Sequence, residues 1–294
     1  MIVSKVSNSP IRWAGSKKKI LNDMLNTFEP NKENYIECFL GSGVVLINVL
    51  KNNDKLNYKS FYVNDINSNI INFYQLLQNN PDYLINNISE MIKTYNNYEI
   101  SEKEKYYYEL RKKFNEEKNY DRKSVMFYLL MKMGYNGVYR ENKAGMFNVP
   151  FGRKEKIVVN EEYLKELSAL IKQVNFYNLD YKDFLNIMSQ NGKVKDSFMY
   201  FDPPYLPDDL SVSKKQELYT NDTFNHQEFV DRIVSLKTKY AMISMSDSEQ
   251  ADEIYSRFIK NNVKEILRTI NPVKIFPSTE IFFTNYKIEL EKEE

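Results

Sequence analysis

Residues 197–205 read Ser-Phe-Met-Tyr-Phe-Asp-Pro-Pro-Tyr, and this stretch indicates both the fold class and the position of a candidate site. The first five residues form an apolar run with the length and composition of a buried strand. Asp202-Pro203-Pro204-Tyr205 follows directly. Ligands of open α/β sheets bind beyond the carboxyl ends of the strands. We therefore expect a carboxylate, a rigid Pro-Pro turn and an aromatic ring at an active site.

The rest of the chain predicts an α/β fold around this strand. Further strands are predicted from short segments rich in β-branched and aromatic residues, at 35–39, 61–63, 174–178, 240–244, 263–268 and 281–286. Helices are predicted between most of them, at 44–50, 68–77, 161–171, 227–236 and 250–259. This alternation predicts an open, mostly parallel, Rossmann-like sheet with helices on both faces.

The alternation breaks between residues 80 and 160. There the chain is helical and tyrosine-rich, and it then becomes glycine-containing and basic from Gly134 to Arg153. We interpret this region as an inserted, mostly helical domain. The predicted boundaries are 68–156 for the insert, with 1–67 and 157–294 together forming the main domain.

Charge and rare residues restrict the functional class. The formal net charge is +1, so affinity for a nucleic acid must come from a local basic face. Cys38 and His226 are the only cysteine and the only histidine, which excludes an internal disulfide and leaves too few ligands for the usual zinc sites. There is no run of about 18 apolar residues. We expect a cytoplasmic protein, in a prokaryotic cell or a phage-infected host, without metal and without membrane association.

The residue types at 202–205 suit methylation of an amine on a nucleobase. Such an amine is a poor nucleophile because its lone pair is delocalised into the ring. Asp202 can accept one N–H and a prolyl carbonyl the other, with the proline rings holding the backbone rigid. Tyr205 can stack on a base that has been turned out of a duplex. The alternative is that these residues only end a strand in a tight turn.

Residues 35–43 have the order strand, glycine turn and helix that nucleotide-type pockets use. The third glycine of the dinucleotide fingerprint is missing, since Val44 and Val45 follow Gly43. This favours a cofactor without phosphates and argues against a nicotinamide dehydrogenase. Asp65 follows the next predicted strand, where an acid can accept hydrogen bonds from ribose hydroxyls. It can equally act as an N-cap acid ahead of Ser68.

These motifs resemble those of the Dam-type (D12 class, alpha group) DNA adenine-N6 methyltransferases, in the family's order and over nearly the whole chain. Residues 11–17 resemble the N-terminal cofactor motif, 39–43 the glycine loop, 63–67 the acidic ribose motif and 202–205 the catalytic signature. The resemblance implies a methyltransferase sheet that uses S-adenosylmethionine (SAM). The implied catalytic residues are Asp202, Pro203, Pro204 and Tyr205. The implied SAM contacts are Trp13, Ala14, Gly15, Lys17, Glu37, Phe39, Gly41, Gly43, Asp65, Asp183, Phe184 and Asp202.

Residues 135–140 and 145–152 resemble the family's DNA-recognition β-hairpin, and their chemistry agrees. An Asn-Gly turn favours a hairpin, an arginine can bond a guanine edge, and a tyrosine can fill the stack left by a flipped base. The implied contacts to double-stranded DNA are Arg12, Tyr135, Asn136, Val138, Arg140, Asn148 and Pro150. The predicted target is GATC, because four residues match the positions with which the family reads this site: Tyr135, Asn136, Arg140 and Pro150. Val138 replaces a common leucine, so the sequence preference can differ.

Two further departures from the family concern the loops. Ser16 replaces a usual glycine, and residues 268–281 are shorter than the basic loop of many relatives. Lys17, Lys18 and Lys19 suit either phosphate contacts or a solvated helix start.

Other functions remain open. The main alternatives are RNA adenine methylation on the same fold and a non-catalytic DNA-binding protein. Glutamine methyltransferases carry asparagine at the head of the signature, so Asp202 argues against them. A monomer suffices for one flipped adenine, and a weak dimer also suits a palindromic target.

Overall fold

A computed structural model describes residues 6–13, 15, 17–206, 224–271 and 274–288. The seven strands of these ranges form one sheet in the order β3-β2-β1-β4-β5-β7-β6. The strands are β1 (Asn34–Glu37), β2 (Ser60–Asn64), β3 (Val174–Tyr177), β4 (Ser197–Phe201), β5 (Tyr240–Ser246), β6 (Ile259–Asn271) and β7 (Lys274–Thr284). The first five run parallel, whereas β7 is antiparallel to both β5 and β6. The predicted open, mostly parallel, Rossmann-like sheet is confirmed.

Helices cover both faces of this sheet, as predicted. They are α1 (Leu21–Leu25), α2 (Val44–Lys51), α3 (Asn53–Leu56), α4 (Ser68–Asn79), α5 (Pro81–Asn96), α6 (Ile100–Glu116), α7 (Tyr120–Met133), α8 (Glu161–Leu170), α9 (Tyr181–Gln190), α10 (His226–Ser235) and α11 (Glu249–Ile254). Single 3-10 turns occupy Lys17–Lys19, Tyr135–Gly137 and Ile171–Gln173. Pro81 at the first position of α5 ends the preceding helix, because proline is tolerated at that position and not within a helix.

Alternate side chains of the central strands belong to two separate cores. Tyr35, Phe198 and Tyr200 belong to the core that also contains α1 to α8. Ile36 and Met199 belong to the other core, with α9, α10 and α11. β1 and β4 are buried along their whole length, as expected for parallel strands covered on both faces.

Predicted and observed limits differ most in the last three elements, where the strand predicted at 263–268 is the longer β6. The helix predicted at 250–259 ends at Ile254, and β6 already begins at Ile259. Tyr255 and Phe258 are buried in the core and joined by a short turn, so tertiary packing ends the helix early. The last strand, predicted at 281–286, begins at Lys274 because its first half pairs with β6.

The helices of the predicted insert share a core with the sheet. α7 packs against α4, α5 and α6, while α4 also contacts β3 and α8. The boundaries 68–156 stay a prediction. Within the described ranges, no helix is long and apolar enough to cross a membrane.

Gly43 is the N-cap residue of helix α2 and has a left-handed φ of 72°. Tyr74 of α4 reaches into this turn, and its hydroxyl donates a hydrogen bond of 2.5 Å to the Ser42 carbonyl. A Cβ on Gly43 would lie 2.5 Å from the Tyr74 hydroxyl oxygen. Glycine is therefore required both by the backbone conformation and by the close approach of α4.

We predict that Gly43→Ala lowers the free energy of unfolding by about 2–4 kcal/mol, from left-handed strain plus overpacking against Tyr74. Gly192→Ala is the matched control, since Gly192 has a φ of +68° and open space around its Cβ position. The control should lose only about 1 kcal/mol. Urea unfolding of both variants measures the difference, and equal losses would show that Tyr74 moves aside without cost.

Candidate active site

The carboxyl ends of β1, β2 and β4 bring three acids to one edge of the sheet: Glu37, Asp65 and Asp202. β1 lies between the other two strands, and its pairing with β4 continues through a 3.2 Å hydrogen bond from Cys38 N to Tyr200 O. Burial raises the pKa of Glu37 well above its ordinary value, and the charges of Asp202 and Asp65 raise it further. The edge is therefore a region where further negative charge is unfavourable.

Glu37 is 1% exposed and accepts a 2.9 Å hydrogen bond from the Tyr35 hydroxyl. Tyr35 lies two residues earlier on the same strand, so both side chains point to the same face. This bond lowers the pKa of Glu37, although by less than burial raises it. Burial of a carboxyl group is tolerable when it is hydrogen-bonded.

Asp65 closes the glycine loop onto the end of β2. Its Oδ2 accepts a hydrogen bond of 2.8 Å from the backbone N–H of Gly41. Its Oδ1 accepts another, also of 2.8 Å, from the backbone N–H of Asn67. Burial raises the pKa of Asp65 to about 6, while the two backbone hydrogen bonds oppose the shift. The alternative role of Asp65 as helix N-cap is wrong, because Asn67 caps α4 by accepting from Asn69 N.

Lys17 reaches Asp202 from the N-terminal segment. Its Nζ lies 2.6 Å from Asp202 Oδ2, 3.1 Å from the Gly15 carbonyl oxygen and 4.8 Å from the centre of the Tyr205 ring. Lys17 is only 4% exposed, so its charge is removed from water and compensated by the carboxylate. Lys18 and Lys19 belong to the same 3-10 turn and are exposed.

Trp13 lies over the glycine loop. A Cβ on Gly41 would lie 3.5 Å from two atoms of the Trp13 ring. The same indole stacks on Tyr139, with ring centres 5.4 Å apart and an angle of 25° between the planes. Trp13 therefore connects the glycine loop with the 134–153 segment. Ala14 and Ser16, between the residues of this motif, lie outside the described residues.

The remaining predicted cofactor residues have differing environments. Phe39 is half-buried and packs against Tyr181 and Phe229. Phe184 is fully buried in the α9 core beside Tyr177, and Asp183 is exposed in the first turn of α9. Their roles stay predictions. Of the signature prolines, Pro203 is buried and Pro204 is exposed.

The predicted Asn-Gly turn is present at residues 135–138. Asn136 and Gly137 both have positive φ, at 54° and 62°, and Val138 N donates 3.3 Å to Tyr135 O. Such a pair of angles suits a tight turn, but this turn does not connect the hairpin: the bridge between Glu141 and Phe147 places the reversal of the hairpin at residues 142–146. A Cβ on Gly137 would lie 2.7 Å from Arg12 Cβ, so Arg12 packs directly on this turn. Arg12 and Tyr135 are both exposed there.

The hairpin itself is a loop with two isolated antiparallel bridges, Gly134 to Phe151 and Glu141 to Phe147. Arg140 bridges the two halves of this loop through two hydrogen bonds to Asn148. Its Nε donates one of 2.7 Å to Asn148 Oδ1, and its Nη2 donates one of 3.3 Å to the Asn148 carbonyl oxygen. Two of the five guanidinium N–H groups are used in this way. The structure thus brings Asn148 to Arg140.

Helix α6 fixes the second half of the hairpin through its backbone. The Asn115 side chain donates a hydrogen bond of 3.0 Å to Phe147 O and accepts one of 2.9 Å from Phe147 N. The Tyr107 hydroxyl donates 2.8 Å to Val149 O, as does Arg111 at 2.9 Å. Pro150 is exposed, its carbonyl accepting 3.0 Å from Tyr135 N, and Val138 is half-buried. The loop is therefore positioned by hydrogen bonds rather than by strands.

Two residues of this site were not predicted from the sequence. Tyr139 stacks on Trp13 and accepts 2.9 Å from the Asn69 side chain. Glu280, from β7, accepts 2.7 Å from the Tyr205 hydroxyl. The one available signal for Glu280 is an acid directly before the apolar run Ile281-Phe282-Phe283. Tyr139 has no such signal, since aromatic residues are frequent in this chain.

Comparison with known proteins shows the family of the chain. A family model described as D12 class N6 adenine-specific DNA methyltransferase matches residues 13–270. The type II methyltransferase M.MjaIII of Methanocaldococcus jannaschii is 32% identical over 276 residues, covering 89% of this chain and 92% of the relative. Type II methyltransferase M1.LlaDCHI of Lactococcus lactis subsp. cremoris is 29% identical, covering 96% and 97%. The DNA adenine methylase of Escherichia coli K12 is 29% identical, covering 91% and 90%.

Proposed function

Because the chain belongs to the D12 class of N6 adenine-specific DNA methyltransferases, we propose that it transfers a methyl group from SAM to a flipped adenine in duplex DNA, at GATC sites. Family membership confirms the predicted resemblance and supports a DNA adenine-N6 methyltransferase activity. The observation that supports the proposed site best is the Lys17–Asp202 ion pair beside Tyr205, at the point where the strand order reverses between β1 and β4.

The proposed chemistry at the amine needs hydrogen-bond acceptors at defined positions. Asp202 follows the buried strand β4 and is oriented by Lys17 at 2.6 Å. Its carboxylate accepts one N–H of the target amine, and a carbonyl of the Pro203-Pro204 segment accepts the other. These two hydrogen bonds favour a more tetrahedral geometry at the nitrogen, in which its lone pair is available for transfer. Tyr205 stacks on the flipped base.

The charge of the sheet edge fits SAM. The cofactor supplies an electrophilic methyl group on a positively charged sulfur, and it also carries an ammonium group and two ribose hydroxyls. Glu37, Asp65 and Asp202 provide carboxyl groups for donors and positive charge, whereas a pyrophosphate would meet repulsion. In this proposal Asp65 holds the ribose, Trp13 and Lys17 lie beside the cofactor, and Gly41 leaves room next to the indole.

The proposed DNA contacts lie on the 134–153 loop and the N-terminal segment. Arg140 reads a base edge while Asn148 holds it, Tyr135 fills the space of the flipped adenine, and Arg12 contacts the DNA beside the Asn136-Gly137 turn. Val138 and Pro150 lie on the same loop. We assign target recognition to residues 68–156 and transfer to the remainder of the chain, with a monomer or a weak dimer as the active form.

The first prediction concerns transfer and the role of Asp202. Incubation of methyl-free plasmid with the protein and SAM should give N6-methyladenine confined to GATC, mapped at single-base resolution. Asp202→Ala should lower the rate at least about 1,000-fold, because it removes the side-chain acceptor for the amine. The control is Asp231→Ala, which removes a surface partner of Arg257 and should retain activity.

Other results of this map would contradict parts of the proposal. Methylation at another sequence would remove GATC while leaving the chemistry. Methylation of RNA alone, or SAM binding without transfer to any nucleic acid, would refute DNA methylation. An active Asp202→Ala enzyme would refute the mechanism.

The second prediction concerns pH. The pKa of Asp65 is raised to about 6 by burial, so its proton is bound more tightly in the folded chain than at the ordinary value of 3.8. The charged acceptor for ribose hydroxyls is therefore present above about pH 6 and lost below it. SAM affinity should fall about tenfold between about pH 7.5 and about pH 5, as seen by calorimetry.

Asp65→Asn is the control for this dependence. The variant should bind SAM weakly at both pH values, with little change between them. The same residue affects folding with the opposite sign. Because the folded pKa is the higher one, its contribution to stability decreases as pH rises from about 3.8 to about 6. An unchanged pH profile of SAM binding in Asp65→Asn would assign the titration to another group such as Glu37.

The third prediction concerns base preference. Arg140→Ala should relax discrimination at one base pair by about 10- to 100-fold, with a smaller loss at the preferred site. Asn148→Ala should have an intermediate effect, since Arg140 loses its contact with Asn148 Oδ1 but keeps the backbone carbonyl as an acceptor. Competition assays on duplexes with single substitutions measure this. The control is Arg257→Ala, which removes an exposed partner of Asp231. An unchanged base preference in Arg140→Ala would exclude Arg140 from recognition.

A further inference from the structure

Glu280 is a buried carboxylate at the same edge of the sheet as Asp202. β7 runs antiparallel to β5, so Glu280 pairs with Ser246, the last residue of β5. Pairing continues one step further through a 2.9 Å hydrogen bond from Asp247 N to Thr279 O. Glu280 is 3% exposed. The sheet therefore holds this side chain at the carboxyl edge from a strand that neither the catalytic signature nor the cofactor motifs include.

The partner of this carboxylate is the tyrosine of the signature. Tyr205 donates its hydroxyl hydrogen to Glu280 Oε2 at 2.7 Å. A hydroxyl bonded to an ionised carboxylate is among the stronger hydrogen bonds of proteins. The backbone of Tyr205 follows the rigid Pro203-Pro204 segment, and the Lys17 ammonium lies 4.8 Å from the centre of the Tyr205 ring. The position of the ring is therefore restricted both at the backbone and at the hydroxyl.

A ring that stacks on a flipped base needs such a definition. A tyrosine side chain rotates about two torsions, and stacking is favourable only over a narrow range of ring orientation. A hydrogen bond at the tip of the ring restricts both torsions. Since Glu280 belongs to β7, its hydrogen bond fixes the orientation of the Tyr205 ring relative to the sheet.

We propose that Glu280 is a positioning residue for Tyr205, holding the ring in the orientation that stacks on the target adenine. The inference rests on the proposed function, because it assumes that Tyr205 contacts the flipped base. Glu280 acts through the Tyr205 hydroxyl and does not touch the substrate. Its loss therefore slows transfer and leaves SAM affinity unchanged.

The test is a double-mutant cycle with Tyr205→Phe, Glu280→Ala and the double variant. Tyr205→Phe keeps the stacking ring and removes only the hydroxyl. Single-turnover methylation of a duplex containing the mapped site should slow about tenfold in each single variant, and again about tenfold, rather than 100-fold, in the double variant. Glu280→Gln retains an acceptor oxygen and should stay within about threefold of the wild type.

Two measurements separate positioning from a general weakening of the sheet. SAM affinity, by calorimetry, should remain within about twofold in every variant, which also shows that the chain is folded. Thr284→Val removes a buried hydroxyl from the same strand, where it accepts from Asn261 and donates to the Tyr286 carbonyl. This control should transfer methyl groups at the wild-type rate.

The remaining outcomes overturn the proposal. A double variant slowed about 100-fold would show that Glu280 and Tyr205 act independently. An undiminished rate in Glu280→Ala, or a loss of SAM binding in that variant, would assign Glu280 another role. A wild-type protein that transfers nothing to any DNA would refute the proposed function together with this inference, whereas activity with an additive cycle refutes this inference alone.

Discussion

The pairing of β1 with β4 brings the glycine loop beside Asp202, and the rest of the candidate site is arranged around these two. The strand order reverses at this pair, and ligands of open α/β sheets bind beyond the carboxyl ends of the strands at such a reversal. Glu37 is in register with Tyr200, and Cys38 N continues the ladder to Tyr200 O at 3.2 Å. Because both strands are buried on both faces, a shift of one residue would exchange the side chains of the two cores. The glycine loop and Asp202 are neighbours for this reason.

Carboxyl groups lie at the strand ends, whereas arginines lie on the loop beside them. Glu37 and Asp65 are buried at the sheet edge, where burial raises their pKa values, and Lys17 is turned inward onto Asp202. Arg12 is exposed on the Asn136-Gly137 turn, and Arg140 lies across the 134–153 loop. In the proposed function, a cationic cofactor lies at the acidic sheet edge and polyanionic DNA meets the arginines.

The N-terminal segment and the 134–153 loop are in direct contact. Trp13 stacks on Tyr139, and Arg12 packs on Gly137, so two consecutive residues of the N-terminal segment touch the loop. Asn69, on α4, adds a hydrogen bond of 2.9 Å to the Tyr139 hydroxyl. A displacement of the loop would therefore also disturb the aromatic ring over the glycine turn. This coupling is built from packed rings and close backbone contact, which are sensitive to small shifts.

The sequence by itself determined the fold class, the seven strands and the family. Apolar runs that end in Asp202, in the glycine loop and before Asp65 are local patterns, and local patterns carry the period of strands and helices. Only the tertiary structure decided the strand order, the inward turn of Lys17, the stacking of Tyr139 and the bond from Tyr205 to Glu280. It also decided that Asn67, and not Asp65, caps α4. These features join residues distant in sequence or depend on backbone geometry, and the residue pattern of a single segment does not encode which distant partner packing will bring to it.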